Sequence, residues 1–282
     1  MAGRNKLFYG DNLDVLGRHI KDESVDLIYL DPPFQSGRDY NVLFEENDGT
    51  KAAAQIKAFE DTWEWDAVAI RSYDKVVSDG GVVGDTLQAF RTMLGGSAMM
   101  AYLSMMAPRL IELRRVLKPT GSIYLHCDVT AGAHLRLLMD AVFGAKNFRN
   151  EIIWHYYNKM HDYRKRLFPR ATDTIMFYVK DVNAPFVYRQ LKEIRDRPFM
   201  QLARKKKDGK MVNARDEDGN LIYREKTDRT LDNVWRIPGI QPADRKQRMG
   251  YPTQKPEALL ERIIEASTND NGVILARISH EG

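Results

Sequence analysis

Val25-Asp26-Leu27-Ile28-Tyr29-Leu30 is a short, nearly continuous apolar run, the pattern of a parallel strand buried on both faces. Asp31-Pro32-Pro33-Phe34 follows it directly. Two consecutive prolines donate no ladder hydrogen bonds, so the strand ends there with Asp31 at its carboxyl end. In an open α/β sheet this is the edge at which ligands bind. Upstream, Lys6 to Tyr9 reads as a short strand running into Gly10-Asp11-Asn12, and Leu13 to Ile20 as a short helix. Downstream, Gln35 to Ala67 is polar and punctuated by Tyr40, Phe44, Phe59, Trp63 and Trp65. Its position after the Asp-Pro-Pro-Phe turn makes it a candidate active-site lid.

The alternation of strand and helix continues. Asp85 to Leu117 is mostly helical with a break at Gly95-Gly96, and its end, Leu110-Ile111-Leu113-Val116-Leu117, is amphipathic. Lys118-Pro119-Thr120-Gly121 predicts a turn into a strand over Ser122 to Leu125, and Ala131 to Phe143 a helix stopped by Gly144. The pattern then changes. Glu151 to Trp154 and Thr174 to Val179 read as strands, and residues 180–235 carry two Asp-Gly turns, Asp208-Gly209 and Asp218-Gly219, which suggest small hairpins. Pro256 to Ser267 is helical, and Gly272 to Leu275 begins another strand.

Charge sharpens this division. The 282 residues carry a net charge of +4, but residues 156–250 hold 23 Lys and Arg against 13 Asp and Glu, leaving the remainder net acidic. A basic middle within an acidic frame is the electrostatic outline of a segment that meets phosphate. The most apolar stretch, Ser97 to Leu113, is interrupted by Pro108 and Arg109 and is too short to span a bilayer. The amino terminus has no apolar signal region, which points to a cytoplasmic protein. A single cysteine, Cys127, excludes a disulfide framework and has no neighbours at zinc-ligand spacing.

A Pro-Pro pair alone marks an ordinary strand-to-loop turn; its company sets this one apart. Lys6-Leu7-Phe8-Tyr9-Gly10-Asp11-Asn12 precedes it, Val116-Leu117-Lys118-Pro119-Thr120-Gly121-Ser122-Ile123-Tyr124-Leu125-His126-Cys127-Asp128 follows, and Gly250-Tyr251-Pro252-Thr253-Gln254-Lys255-Pro256-Glu257 comes late. In this order the motifs resemble the permuted β-class of DNA amino-methyltransferases, which methylate N6 of adenine or N4 of cytosine and include the modification subunits of type III restriction systems. The resemblance covers roughly residues 5 to 275. It implies an α/β fold with a Rossmann-like methyltransferase sheet and an inserted target-recognition region. On that reading residues 1–155 are the first part of the catalytic core, and 156–250 the basic recognition region, with strands completing the core near 174–179. Residues 251–282 are the cofactor-side helix and a strand.

The same resemblance implies chemistry at named residues. An exocyclic amine is a poor nucleophile because its lone pair is delocalised into the ring. Accepting its hydrogens at two fixed points, the Asp31 carboxylate and the Pro32 carbonyl, draws the nitrogen toward tetrahedral geometry, and Pro33 helps to fix that carbonyl's direction. Phe34 would stack on the extruded base. S-adenosylmethionine is the implied methyl donor, with Asp11, Asn12, Asp31, Thr253, Gln254 and Lys255 as cofactor-binding residues. Arg164, Lys165, Arg166, Lys205, Lys206 and Lys207 are candidate DNA contacts. Double-stranded DNA is the implied partner, with a restriction subunit or a second methyltransferase copy as further ones. Cys127 reads as a buried small residue rather than a nucleophile, whereas His126 and Asp128, on the ligand-facing edge, are candidates to line the pocket.

Where the family continues into a glycine-rich turn after the strand at Gly272, this sequence reads Ala276-Arg277-Ile278-Ser279-His280-Glu281-Gly282. The expectation is therefore an incomplete sheet and no turnover by residues 1–282 taken alone. The family places its remaining strands between those of Asp31 and Leu7 to Tyr9, so the Asp31 strand is expected to have an unpaired apolar edge. Adenine is the expected target, since N4-cytosine enzymes more often carry Ser-Pro-Pro. The alternatives are an N4-cytosine enzyme, a DNA-binding fragment without catalysis, and a protein-amide methyltransferase, whose motif would begin Asn-Pro-Pro.

Overall fold

The computed structural model describes residues 5–8, 10–32, 63–159, 166, 168–241, 243–245, 247–249 and 254–278. The chain divides into two compact units, Met1–Tyr188 with Asn233–Gly282, and Arg189–Asp232. In the first unit, α1 (Asn12–His19) leads into β1 (Val25–Asp31). Three helices follow, α2 (Ala67–Asp79), α3 (Gly81–Leu94) and α4 (Ala98–Val116), then β2 (Leu117–Cys127), α5 (Gly132–Phe143), β3 (Phe148–His155) and β4 (Thr172–Val179). The second unit holds β5 (Lys192–Leu202), β6 (Arg204–Lys207), β7 (Lys210–Asn213) and β8 (Tyr223–Thr230); β9 (Val234–Arg236), α6 (Glu257–Ser267) and β10 (Ile274–Ile278) return to the first.

The first unit is built on a six-stranded mixed sheet of order β10-β1-β2-β4-β3-β9. β1 runs parallel to both neighbours, β10 and β2, while β4 is antiparallel to β2 and β3. Side chains alternate across a strand, so this register fixes two faces. Ile28, Leu30, Ile123, Leu125, Cys127, Met176 and Tyr178 face the main core, where α4 and α5 contribute Leu103, Leu110, Leu135 and Met139. Tyr29, Asp31, Tyr124, His126, Trp154, Asp173 and Phe177 share the opposite face. α6 is tied to that face: the Tyr124 hydroxyl and Ser267 Oγ lie 2.6 Å apart, and the Arg262 guanidinium stands 5.4 Å above the Trp235 ring.

Local chemistry sets the element ends. Asp66 caps α2 by accepting from Val68 and Ala69 N–H, and Gly144 ends α5 at φ +88°, where a side chain would be strained. Within α4, Pro108 has no N–H to offer the Ser104 carbonyl, and the Ser72 hydroxyl of α2 donates to that carbonyl instead, at 2.7 Å. Among the described residues no helix is long and apolar enough to cross a membrane.

Several expectations change. The strand expected at Leu7 to Tyr9 is absent over its described residues: Leu7 is 95% exposed, and Phe8 stacks on His19 with ring centroids 5.4 Å apart. Tyr9 lies outside the described residues. The unpaired edge expected for the Asp31 strand is also absent, because β10 pairs with β1 from Leu27 to Asp31. Lys118 to Gly121 lies within β2 as a bulge, since Val25 opposes Leu117 while Leu27 already opposes Ser122. A Cβ at Gly121 would come within 2.6 Å of the Leu117 side chain, so only glycine fits this close approach. The candidate lid lies outside the described residues up to position 62. Its last aromatics, Trp63 and Trp65, pack against the main core, with Trp63 edge-on to Tyr102 at 5.4 Å.

In the second unit, β5 pairs antiparallel with β8, and β6 with β7. The β6–β7 turn is Asp208-Gly209, both at positive φ, as a two-residue hairpin of matching twist requires. The β5–β8 register slips between Ile194 and Phe199, and Pro198 sits in the slipped stretch, where its missing N–H breaks no ladder bond.

Candidate active site

Asp31 and Tyr29 are two residues apart on β1 and therefore share a face. The parallel register, with Leu30 opposite Leu125, sets His126 of β2 beside Asp31. The antiparallel register of β4 then brings up Asp173. The segment before α6 delivers Lys255. Its Nζ donates to Asp31 Oδ2, and the two side chains are 8% and 0% exposed. Each of these two groups, taken out of water, is compensated by the other. Oδ1, the other oxygen of Asp31, is buried without a hydrogen-bond partner among the described residues. A buried unmet acceptor is costly, and in a native site it is met by an ordered water, an ion or a ligand.

Beneath Asp31 runs a polar network. His126 Nδ1 is 2.9 Å from the Tyr29 hydroxyl and 3.8 Å from Asp31 Oδ1; its Nε2 is 3.4 Å from Asp173 Oδ2. Arg170 bonds Asp173 and also donates to Asp128 Oδ2 at 3.2 Å. Burial pushes the Tyr29 phenol well up, and the carboxylates of Asp31 and Asp173 add to this, so the hydroxyl keeps its proton. Burial would raise Asp173 too, but the bonds and charges of His126 and Arg170 outweigh it and hold the carboxyl below its ordinary value. Burial, then Asp128, Asp173 and Glu151, pushes the Cys127 thiol up to about 12. That is too high for a thiolate nucleophile at neutral pH.

The other expected residues are placed as follows. Pro32 is buried directly after Asp31; Pro33, Phe34, Thr253, Arg164 and Lys165 lie outside the described residues. Asp11 caps α1 through the Leu13 N–H at 2.7 Å, and its Oδ2 accepts from Arg109 at 2.7 Å. Asn12 Oδ1 accepts from the same guanidinium at 2.8 Å. Gln254 braces its own loop, accepting from Met249 N–H at 2.8 Å and donating to the Gln247 carbonyl at 2.6 Å. Asp128 opens α5 by accepting from the Thr130 and Ala131 N–H groups. Arg166 is exposed, as are Lys205, Lys206 and Lys207 on β6.

Sequence reasoning missed Tyr29, Asp173, Arg170 and Arg109. Tyr29 was legible by period two from Asp31. Arg109 had a signal as well: a charge within the most apolar stretch needs a partner, and here burial lowers its pKa while Asp11 opposes the fall. Asp173 and Arg170 became visible only through strand register.

The described residues can be tested against a sulfonium nucleoside cofactor. The polar groups of Asp11, Asn12 and Gln254 named above are engaged within the protein, and Lys255 is bound to Asp31. The sequence contains no Gly-x-Gly turn. The described residues therefore offer an acceptor for an amine and no backbone cradle for such a cofactor.

The N6/N4 methylase family model, described as a DNA methylase, matches residues 25–275. The Mod subunit of the type III restriction-modification enzyme StyLTI from Salmonella typhimurium strain LT2 is 34% identical over 154 residues, 53% of this chain and 20% of that protein. The EcoPI Mod subunit of Escherichia phage P1 is 31% identical over 147 residues, 51% of this chain and 20% of that protein. The matched part of this chain thus spans about a fifth of the length of these curated relatives. Among solved structures, the cytosine-N4-specific PvuII DNA methyltransferase aligns with a TM-score of 0.50 at 13% identity, over 95% of this chain and 72% of that one, which shows a shared fold. With its family match running from the Asp31 strand through to β10, this chain belongs to the N6/N4 DNA methylase family.

Proposed function

We propose that the chain carries the amine-binding side of a DNA adenine-N6 methyltransferase site, with S-adenosylmethionine as the methyl donor. The observation that carries this reading is the buried, unpartnered Oδ1 of Asp31 at the carboxyl end of a central parallel strand. An exocyclic amine has two hydrogens to donate. Asp31 Oδ1 takes one, and the carbonyl of Pro32, held by the proline ring, takes the other. Both bonds localise the nitrogen lone pair away from the base. Lys255 holds the second carboxylate oxygen and so fixes the plane in which Oδ1 accepts. Phe34 is assigned to stack on the extruded base, offsetting part of its unstacking cost.

The partner is double-stranded DNA, met through basic residues of the recognition region, residues 156–250. The exposed Lys205, Lys206, Lys207 and Arg166 lead among them, with Arg164 and Lys165 assigned from the sequence. The likeness to Mod subunits of type III restriction-modification enzymes supports a restriction subunit, or a second methyltransferase copy, as a further partner.

A second reading, DNA binding without turnover, is favoured by one observation: the described residues form no cradle for the cofactor. The two separate in a single assay with the purified chain, tritiated S-adenosylmethionine and mixed-sequence duplex digested to nucleosides. Residues 1–282 by themselves are expected to give no label; with a fragment carrying a glycine-rich cofactor turn supplied, the expected result is label in N6-methyladenine, abolished by Asp31→Ala. Label in N4-methylcytosine would move the target base. Duplex binding without label even then would leave the second reading standing.

A further inference from the structure

The two ribbons of the second unit hold their cations differently. On β5 and β8, Lys192 and Lys226 pair with Asp228 at 2.8 and 3.4 Å, and Arg229 pairs with Glu193. Arg195 lies over the Phe199 ring at 4.4 Å. Arg197 and Arg224 are the cations of these strands without such a contact among the described residues. β6, its turn and β7 run from 204 to 213 and carry Arg204, Lys205, Lys206, Lys207 and Lys210 against one carboxylate, that of the turn residue Asp208. All five cations are exposed, and none makes an ion pair or a side-chain hydrogen bond among the described residues, Asp208 included.

Strand register sorts these cations into faces. Directly opposite residues share a face, and neighbours along a strand do not. Lys205 opposite Val212 and Lys207 opposite Lys210 make one face of the ribbon. Arg204 opposite Asn213 and Lys206 opposite Met211 make the other. The first face therefore gathers three ammonium groups, two of them directly across from each other. Like charges so placed are destabilising, and an anion lying between them removes the penalty. The second face has no such pair, since each of its cations stands opposite a neutral side chain. Lysine suits the role: a compact charge on a flexible stem meets phosphate as a point charge.

We propose that the face formed by Lys205, Lys207 and Lys210 is a phosphate-binding surface that holds a duplex by its backbone without reading bases. The proposal rests on double-stranded DNA being the partner. A duplex lies against one face of a ribbon at a time. Arg204 and Lys206 then add their charge to the local field, while Lys210, outside the run of three lysines, adds a contact.

The test compares two double variants that remove the same charge from the same strand: Lys205→Ala with Lys207→Ala, and Arg204→Ala with Lys206→Ala. Affinity of the full chain for mixed-sequence duplex is measured by fluorescence anisotropy across a salt series, with circular dichroism to show that each variant is folded. The plot of log affinity against log salt is expected to flatten by about 1.8 in the first variant, from two contacts of about 0.9 each. In the second it should flatten by less than half as much. Lys210→Ala alone is expected to flatten it by about 0.9, and each loss should be alike for duplexes of different base composition. Equal flattening by the two double variants, or more by the second, would overturn the one-sided surface while leaving DNA as the partner. An unchanged slope in Lys210→Ala, or a loss that depends on sequence, would overturn it too. If the unmodified chain shows no salt-dependent binding to duplex, the DNA reading itself falls and the surface with it.

Discussion

Lys255 shows how much one residue depends on its partner. Its ammonium sits 8% exposed against a carboxylate with no exposure at all. Removing either charge strands the other in a dry place, which typically costs about 3–5 kcal/mol. Lys255→Met is therefore expected to lower the unfolding free energy by about that amount in a urea titration. The double variant Asp31→Asn with Lys255→Met should recover most of it, because no charge is then left alone. A loss under 1 kcal/mol for the single variant would mean that water reaches Asp31.

Among the elements, α4 is the most demanding. It is 19 residues long, carries Pro108 inside, and buries Arg109 on the same turn. The proline leaves the Ser104 carbonyl without its helical donor, and Ser72 of α2 supplies one. Ser72→Ala should cost about 1 kcal/mol, the net value of one hydrogen bond plus part of the desolvation of the carbonyl. In a Pro108→Ala background, where the helical N–H is restored, the same change should cost measurably less. A double-mutant cycle by thermal or urea unfolding gives the coupling directly, and zero coupling would show that the two donors do not compete. Arg109 adds a tie across the fold by bonding Asp11 and Asn12 at the start of α1.

At the scale of the whole molecule, charge is the property that matters. The net +4 arises from a basic excess over residues 156–250 set in an acidic remainder. Lys205, Lys206 and Lys207 stand side by side on an exposed strand. Replacing all three by Ala is expected to weaken binding to duplexes of any sequence alike. It should also flatten the plot of log affinity against log salt by about 1 for each lysine in phosphate contact, because each contact releases condensed counterions without reading a base. Fluorescence anisotropy over a salt series measures this, and an unchanged slope would assign the lysines to solvated surface.

What the sequence determined by itself was local. The run from Val25 to Leu30 followed by two prolines places a strand end at Asp31, because ring closure removes ladder donors whatever surrounds it. The helices of the first unit other than α2 (Ala67–Asp79), which the sequence reading did not find, and the Asp208-Gly209 hairpin were legible for the same reason, since spacing and turn chemistry act over a few residues. The tertiary structure decided which strands are neighbours and in what register. It set β10 against β1, leaving no unpaired edge on the Asp31 strand, and left Leu7 and Phe8 outside any strand. It joined Asp31 to Lys255 across 224 residues of sequence, and Tyr29 to His126 across 97. Strand pairing is a choice among many segments of comparable propensity, settled by total burial and by backbone groups that must all find partners. Those terms belong to the assembled sheet, and the polar network beside Asp31 exists only in it.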